Sequence, residues 1–114
     1  MPYLRIQSNH VLESEAADEF LILASSTVAD LLSKPERYVM VTMDPPVPML
    51  FAGTDDPAVF MELKSIGLSE SQTPELSRVL SELVHQTLGV NIDRIYIEFA
   101  DAPRKMWGWN GATF

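Results

Sequence analysis

Cysteine is missing from all 114 residues of the chain. That absence excludes a disulfide framework, a zinc–thiolate site, a CxxC redox motif and a cysteine nucleophile. Basic residues are scarce, with 8 Lys and Arg against 16 Asp and Glu and a net charge of -8. A nucleic-acid partner needs clustered Lys and Arg for phosphate contacts, so that class is excluded. The two histidines, His10 and His85, stand in dissimilar contexts and make no metal site together. No apolar run approaches the length of a membrane span. The N-terminus has no basic region followed by an apolar stretch, which excludes a secretory signal. The expectation is therefore a soluble cytoplasmic protein that, if released, leaves without a signal peptide. The length fits one domain, residues 1–114, and 46% hydrophobic residues can supply a modest core.

What is present is written twice. AADEFLILASSTVADLLS places Ala17, Phe20, Leu21, Ala24, Val28, Leu31 and Leu32 at helical spacing. Ser14 is placed to cap this helix and Pro35 to stop it. PELSRVLSELVHQTLG repeats the pattern with Leu76, Val79, Leu80, Leu83 and Leu88, and Gly89 suits its C-terminal cap. Two signals compete for its start: Thr73 before Pro74, and a capping box of Ser69 with Gln72. A strand pattern follows each helix, YVMVTMD and RIYIEFA, and another precedes each, PYLRIQ and AVFMELKSI. One offset relates the halves, 76 − 20 = 56 residues. It sets Phe20 on Leu76, Leu23 on Val79, Ala24 on Leu80, Leu32 on Leu88, Val39 on Ile95, Val41 on Ile97 and Met43 on Phe99.

The expected architecture is α/β, of the α+β kind. Two pseudo-symmetric β-α-β units, about 2–44 and 57–100, build a four-stranded mixed sheet with both helices on one face. The other face carries Tyr3, Arg5, Gln7, Tyr38, Met40, Thr42, Phe60, Glu62, Lys64, Tyr96 and Glu98. That mixture of aromatics and charges suits a wet subunit interface as well as open solvent. DPPVPMLFAGTDDP between the units reads as a loop, with room for a short strand at Met49 to Phe51. The tail, DAPRKMWGWNGATF, crowds Trp107, Trp109 and Phe114 into a terminal segment. Such aromatics need a groove, on this subunit or on a neighbour.

The chain opens MPYLRI, with a strand pattern starting at once. Loss of Met1 would leave Pro2 as a secondary amine at a strand end. Proline is also simply tolerated as a strand's first residue, where no ladder donor is lost.

Taken together, MP, SKPERYV, FAG, KSIG, DRIYIEF and WGWNGATF, in that order, resemble the macrophage migration inhibitory factor and D-dopachrome tautomerase family along nearly the whole chain. The resemblance implies a homotrimer around a central channel, with active sites between subunits. It implies keto–enol tautomerisation of phenylpyruvate-like or dopachrome-like substrates, an isomerase or intramolecular oxidoreductase chemistry that needs no cofactor and no metal. Pro2 then matches the general base. Lys34 matches the lysine that engages the substrate's carboxylate or carbonyl oxygen, and Ile66 a residue that uses its backbone at the site. Tyr96 matches a tyrosine given by the adjacent subunit. Tyr38, Trp107, Trp109 and Phe114 match pocket walls. Members also act as cytokine-like proteins through receptors, so the alternative is a regulatory binding protein with a weak or vestigial pocket.

The chain departs from this pattern in three places. Glu98 stands for an asparagine that reaches the neighbouring pocket, which points to low activity on acidic substrates. Lys64 replaces a histidine near the site. AVFM replaces the CxxC of some members, so their oxidoreductase activity does not carry over.

Overall fold

The computed structural model describes residues 1–114. Strand β1 (Tyr3–Ser8) leads to helix α1 (Ser14–Leu32), a 3-10 turn (Glu36–Tyr38) and strand β2 (Met40–Met43). Strand β3 (Val59–Ile66) leads to a 3-10 turn (Glu70–Gln72), helix α2 (Thr73–Leu88), a 3-10 turn (Ile92–Arg94) and strand β4 (Ile95–Ala102). The sheet order is β2-β1-β3-β4, parallel within each unit and antiparallel where β1 meets β3. This is the doubled β-α-β frame expected from the repeat.

The helices bury their periodic stripes against one sheet face. Phe20, Ala24, Val28 and Leu32 of α1 meet Leu76, Leu80, Val84 and Leu88 of α2 in one core with Leu4, Ile6, Val59, Met61 and Leu63. The offset of 56 residues carries each of those α1 positions onto an α2 position. It also carries the turn at Glu36–Tyr38 onto the turn at Ile92–Arg94. It does not hold for the first strands. β1 points Leu4 and Ile6 inward, whereas β3 points Met61 and Leu63 inward, an offset of 57. The first unit has one more residue between strand and helix, and a period-2 element cannot absorb a one-residue slip without exchanging faces.

Two local expectations need correction. Ser14 does not cap α1: it is the helix's first residue, the cap position is Glu13, and no side chain bonds the free amides there. Met49 to Phe51 forms no strand. The loop instead makes a tight reversal closed by one bridge between Phe51 and Thr54, with Ala52 and Gly53 at φ 53° and 76°. The two rival starts of α2 are both used. Ser69 and Gln72 form a capping box on the short 3-10 turn, and the α-helix then begins at Thr73 with Pro74 in its first turn, where proline loses no bond.

The helix-free face holds the expected strand residues in register, except Tyr38, which lies in the 3-10 turn before β2 because Pro35 and the helix end leave the strand to begin at Met40. Tyr3 lies between Met40 and Lys64, Arg5 between Thr42 and Glu62, and Phe60 beside Tyr96. The Arg5 guanidinium donates to both oxygens of Asp44, at 2.7 and 3.3 Å, and Gln7 adds a bond of 3.1 Å. Tyr96 is 61% exposed and Met40 62%.

Candidate active site

Pro2 sits at the start of β1, fully buried, with its carbonyl accepting the Met40 N–H at 3.0 Å. It lies at the base of a cleft of about 450 Å³ lined by Met1, Pro2, Tyr3, Arg37, Tyr38, Val39, Met40, Trp107, Gly108, Trp109 and Phe114. The walls are mostly apolar and aromatic, as in sites that hold small organic ligands.

The aromatic wall comes from two distant segments. α1 ends at Ser33 in the left-handed region, φ 52°, and the Lys34 N–H closes the helix end by donating to the Ala29 carbonyl at 2.9 Å. Pro35 then forbids further helix, and the following 3-10 turn delivers Tyr38 to the cleft. The tail folds back as a hairpin of β5 (Gly108–Trp109) and β6 (Ala112–Thr113). Its two-residue loop is Asn110 and Gly111 at φ 52° and 76°, the positive pair that a type I′ turn demands. Trp109 and Phe114 stack at 5.6 Å, and both meet the Tyr38 ring edge-on, at 5.4 and 6.0 Å. The groove that the tail needs is therefore on its own subunit. Asn-Gly between short apolar runs is the sequence signal of this hairpin, beyond the aromatic crowding of the tail.

The electrostatics suit a base. Burial holds the Met1 amine below its ordinary value of 8.0, and the positive charge of Lys34 lowers it further. Lys34 is half-buried and close enough to act on that amine, although its side chain is not part of the cleft lining. Arg37 and Met40, which the sequence reading missed, do line the cleft. Arg37 stands 4.8 Å over the Tyr38 ring, and neither Arg37 nor Lys34 is within ion-pair distance of a carboxylate. The cleft mouth is thus locally positive on an acidic protein. The signal for Arg37 and Met40 was position alone: they flank Tyr38 on the turn and on the strand that follows.

Ile66 is buried at the end of β3, on the Pro2 side of the sheet, since β3 runs antiparallel to β1 and pairs Lys64 with Tyr3. Gly67 turns there at φ 77°, and the Asp101 carboxylate accepts the Gly67 and Leu68 N–H groups at 2.9 and 3.2 Å. Tyr96 and Glu98 are not brought to the cleft. Tyr96 pairs with Phe60 towards the other end of the sheet, in an apolar groove with Met49, Leu50 and Phe51. Glu98 lies beside Glu62 on the helix-free face. Its conceivable partners are otherwise engaged or distant: Arg5 pairs with Asp44 and Glu62, and Lys64 makes no ion pair. Within one subunit the site residues form two groups, Pro2, Tyr38, Trp107, Trp109 and Phe114 with Lys34 and Ile66 nearby, and Tyr96 with Glu98 elsewhere.

The model of the macrophage migration inhibitory factor family matches residues 1–114, from one end of the chain to the other. The chain belongs to that family. The mouse macrophage migration inhibitory factor is 33% identical over 115 residues, covering 100% of this chain and 99% of the mouse protein. The Brugia malayi homologue is 34% identical over 119 residues, covering 100% and 99%. Among solved structures, the macrophage migration inhibitory factor homologue of Prochlorococcus marinus superposes with a TM-score of 0.93 at 43% identity, covering 98% of both chains. The Trichinella spiralis protein gives 0.90 at 32% identity, covering 98% and 99%. Macrophage migration inhibitory factors in general include tautomerases and cytokine-like proteins, and the cleft at Pro2 lies within the region of shared fold.

Proposed function

We propose that the protein is a keto–enol tautomerase whose general base is Pro2, freed by removal of Met1. The observation that carries this reading is the buried Pro2 at the base of an aromatic cleft, next to a terminal amine that burial and Lys34 hold neutral-leaning. In the intact chain the Pro2 nitrogen is an amide and cannot accept a proton. After excision it is a secondary amine in the same surroundings. The substrate class is a phenylpyruvate-like aromatic α-keto acid, or a dopachrome-like ring, held by Tyr38, Trp107, Trp109 and Phe114. The amine takes a proton from the carbon next to the carbonyl. The C–H electron pair becomes the C=C bond, and the carbonyl π pair moves onto oxygen. Lys34 stabilises that oxygen, with the Ile66 backbone assisting, and a proton is returned to it to complete the enol. One group serves as base and then as acid, so neither metal nor cofactor enters.

The working unit in this reading is a homotrimer with each site between two subunits. It places Tyr96 and Glu98 against a neighbour's cleft, which gives the exposed Tyr96 face a partner. Light scattering should then return about three times the 12.8 kDa chain mass, and a monomer sinks the shared site. The decisive assay follows phenylpyruvate enolisation by protein whose first residue has been identified. Activity confined to the Pro2-terminal form upholds the assignment. Equal activity with Met1 retained removes Pro2 as the base.

A second reading has its own observation. Glu98 is exposed, lies next to Tyr96 on the same sheet face and has no cation within its own subunit. A carboxylate delivered to the cleft would repel an anionic substrate, which suits a cytokine-like or regulatory binding protein with a weak pocket. A full kinetic constant set on phenylpyruvate separates the two.

A further inference from the structure

Arg94 ends the 3-10 turn that enters β4, two residues before Tyr96. Its guanidinium takes no carboxylate. It donates instead to four backbone carbonyls of one loop: Phe51 at 3.0 Å, Thr54 at 3.3 Å, Asp56 at 3.0 Å and Pro57 at 3.1 Å. Four acceptors from one reversal leave little of its donor capacity unused, because the planar fork has five N–H groups in fixed directions. The same guanidinium lies 5.1 Å from the centre of the Phe51 ring. The Phe51 ring in turn packs 4.6 Å from the Tyr96 ring of β4, at a tilt of 37°. Ala52 to Pro57 are exposed; the bridge from Phe51 to Thr54 closes the reversal, and the Asn9 amide holds its far end by donating to the Asp55 and Asp56 carbonyls at 3.1 and 3.2 Å, so Arg94 is the one side chain from outside the loop that bonds the Phe51 carbonyl.

We propose that Arg94 is a positioning residue for the reaction: it locks the 51–57 loop so that Phe51 holds the Tyr96 ring in the direction from which it meets the adjacent subunit's cleft. The inference rests on the tautomerase reading for what Tyr96 does, but the clamp itself is a property of one chain. Without it, an exposed tyrosine on a sheet face explores several rotamers, and a misplacement of about 1 Å is enough to cost a large factor in rate. Lysine is no substitute. Its single ammonium keeps the charge but has three donors on a flexible stem and cannot serve four diverging carbonyls.

The experiment has two readouts. The first is kinetic, on the Pro2-terminal protein with phenylpyruvate. Tyr96→Phe should lower kcat/KM, Arg94→Lys should lower it by a comparable factor of roughly ten, and the double variant should be no worse than the worse single one, since both changes lose the same contact. Losses that multiply in the double variant, or a fully active Arg94→Lys beside an impaired Tyr96→Phe, overturn the clamp and leave the tautomerase reading standing. The second readout needs no activity. The chain has three tyrosines, so 3-fluorotyrosine labelling gives three fluorine lines, assigned by single Tyr→Phe changes. The Tyr96 line should be displaced from the free amino acid by the Phe51 ring and should move towards it in Arg94→Lys. An unmoved line overturns the proposal whatever the kinetics show. If Tyr96→Phe is fully active while the line does move, Arg94 positions Tyr96 and it is the catalytic part of the proposal that is overturned. Should Arg94→Lys fail to fold, Phe51→Leu keeps all four carbonyl bonds and should shift the same line.

Discussion

The two β-α-β units are copies in plan and opposites at one end. In the first, the strand begins at Pro2, the turn after the helix ends in Tyr38, and an aromatic cleft of about 450 Å³ lies between them. In the second, the matching positions are Val59, paired with Ile95 as Pro2 stands beside Val39, and Arg94 in place of Tyr38. Lys34 is matched by Val90, which is wholly buried. The chain also runs back from Val59 into the 51–57 loop, which Arg94 fastens through four carbonyls. The frame is therefore not what makes a site. The first unit sets a buried Pro2 and the Tyr38 ring in its cleft; the second has Val59 and Arg94 at those places, and its own hollow is an apolar groove of about 500 Å³ between the loop and Val59, Phe60 and Tyr96.

The largest effects should fall on what the units share. Phe20 and Leu76 occupy matching places and are both fully buried, at 0% and 1% exposure. Phe20→Ala should cost about 3–5 kcal/mol and Leu76→Ala about 2–5 kcal/mol, the usual range for emptied core sites. Urea unfolding with an unchanged m-value would measure both. If one proves nearly silent, the core is not continuous between the units. Next comes the feature that separates them. Pro2→Gly should reduce kcat/KM about a hundredfold, the scale of a positioned base, and also lower the urea midpoint, since it empties a fully buried ring; a variant still folded at the assay temperature keeps the two effects apart. Full retention of rate breaks the assignment and with it the functional contrast.

The helices and the strands that follow them were legible because burial imposes a period. Phe20, Ala24, Val28 and Leu32 had to recur at helical spacing to share one core, and their partners 56 residues on obey the same rule. The one-residue slip between β1 and β3 was not legible. An alternating strand such as PYLRIQ fits either face until its neighbour fixes the register. Of the site, Pro2, Tyr38, Trp107, Trp109 and Phe114 do converge. Their meeting depends on a hairpin at Asn110 and Gly111 whose docking on Tyr38 no local signal encodes. Tyr96 and Glu98 are placed at a cleft only by the family resemblance, since the chain's own geometry keeps them elsewhere. Arg94 stands in DRIYIEF, but nothing local tells its role: an arginine ahead of a strand reads as a solvated charge, and its carbonyl acceptors lie some forty residues earlier, Phe51 being 43 positions back.

A smaller effect sharpens the contrast on the helix-free face. Asp44, after β2, is matched by Ala100 in the second unit, so only the first unit anchors its outer strand this way. The hydrogen bonds from Arg5, and then from Gln7, hold the Asp44 carboxyl below its ordinary value of 3.8. A carboxyl whose pKa is lower folded than unfolded adds stability above the unfolded value and loses it as pH falls through the folded one. Asp44→Asn should therefore lower Tm near pH 7 and leave it little changed near pH 2, giving a shallower acid limb. A parallel downward shift at every pH would mean that packing, rather than the Arg5 pairing, is what Asp44 supplies.

The finest test concerns Glu98. Tyr96 and Glu98 are two apart on β4 and leave the same face, so a trimer that brings Tyr96 to a neighbour's cleft brings Glu98 near it as well. Burial and Lys34 depress the terminal amine. A carboxylate within ~4–6 Å would work the other way and favour the protonated amine. Only the neutral amine is a base, so kcat/KM should rise with pH through the amine's pKa, and Glu98 sets how far up the scale that rise begins. An anionic α-keto acid would also meet repulsion. Glu98→Gln should move the acidic limb of the kcat/KM profile to lower pH and lower KM for phenylpyruvate, each by a modest factor, because the pairing is solvent-screened. The same substitution at Glu62, which the register sets beside Glu98 but which already faces Arg5 at 3.7 Å, should move neither. If Glu98→Gln leaves limb and KM where they were, Glu98 does not sense the cleft, and the low activity expected of this chain needs another cause.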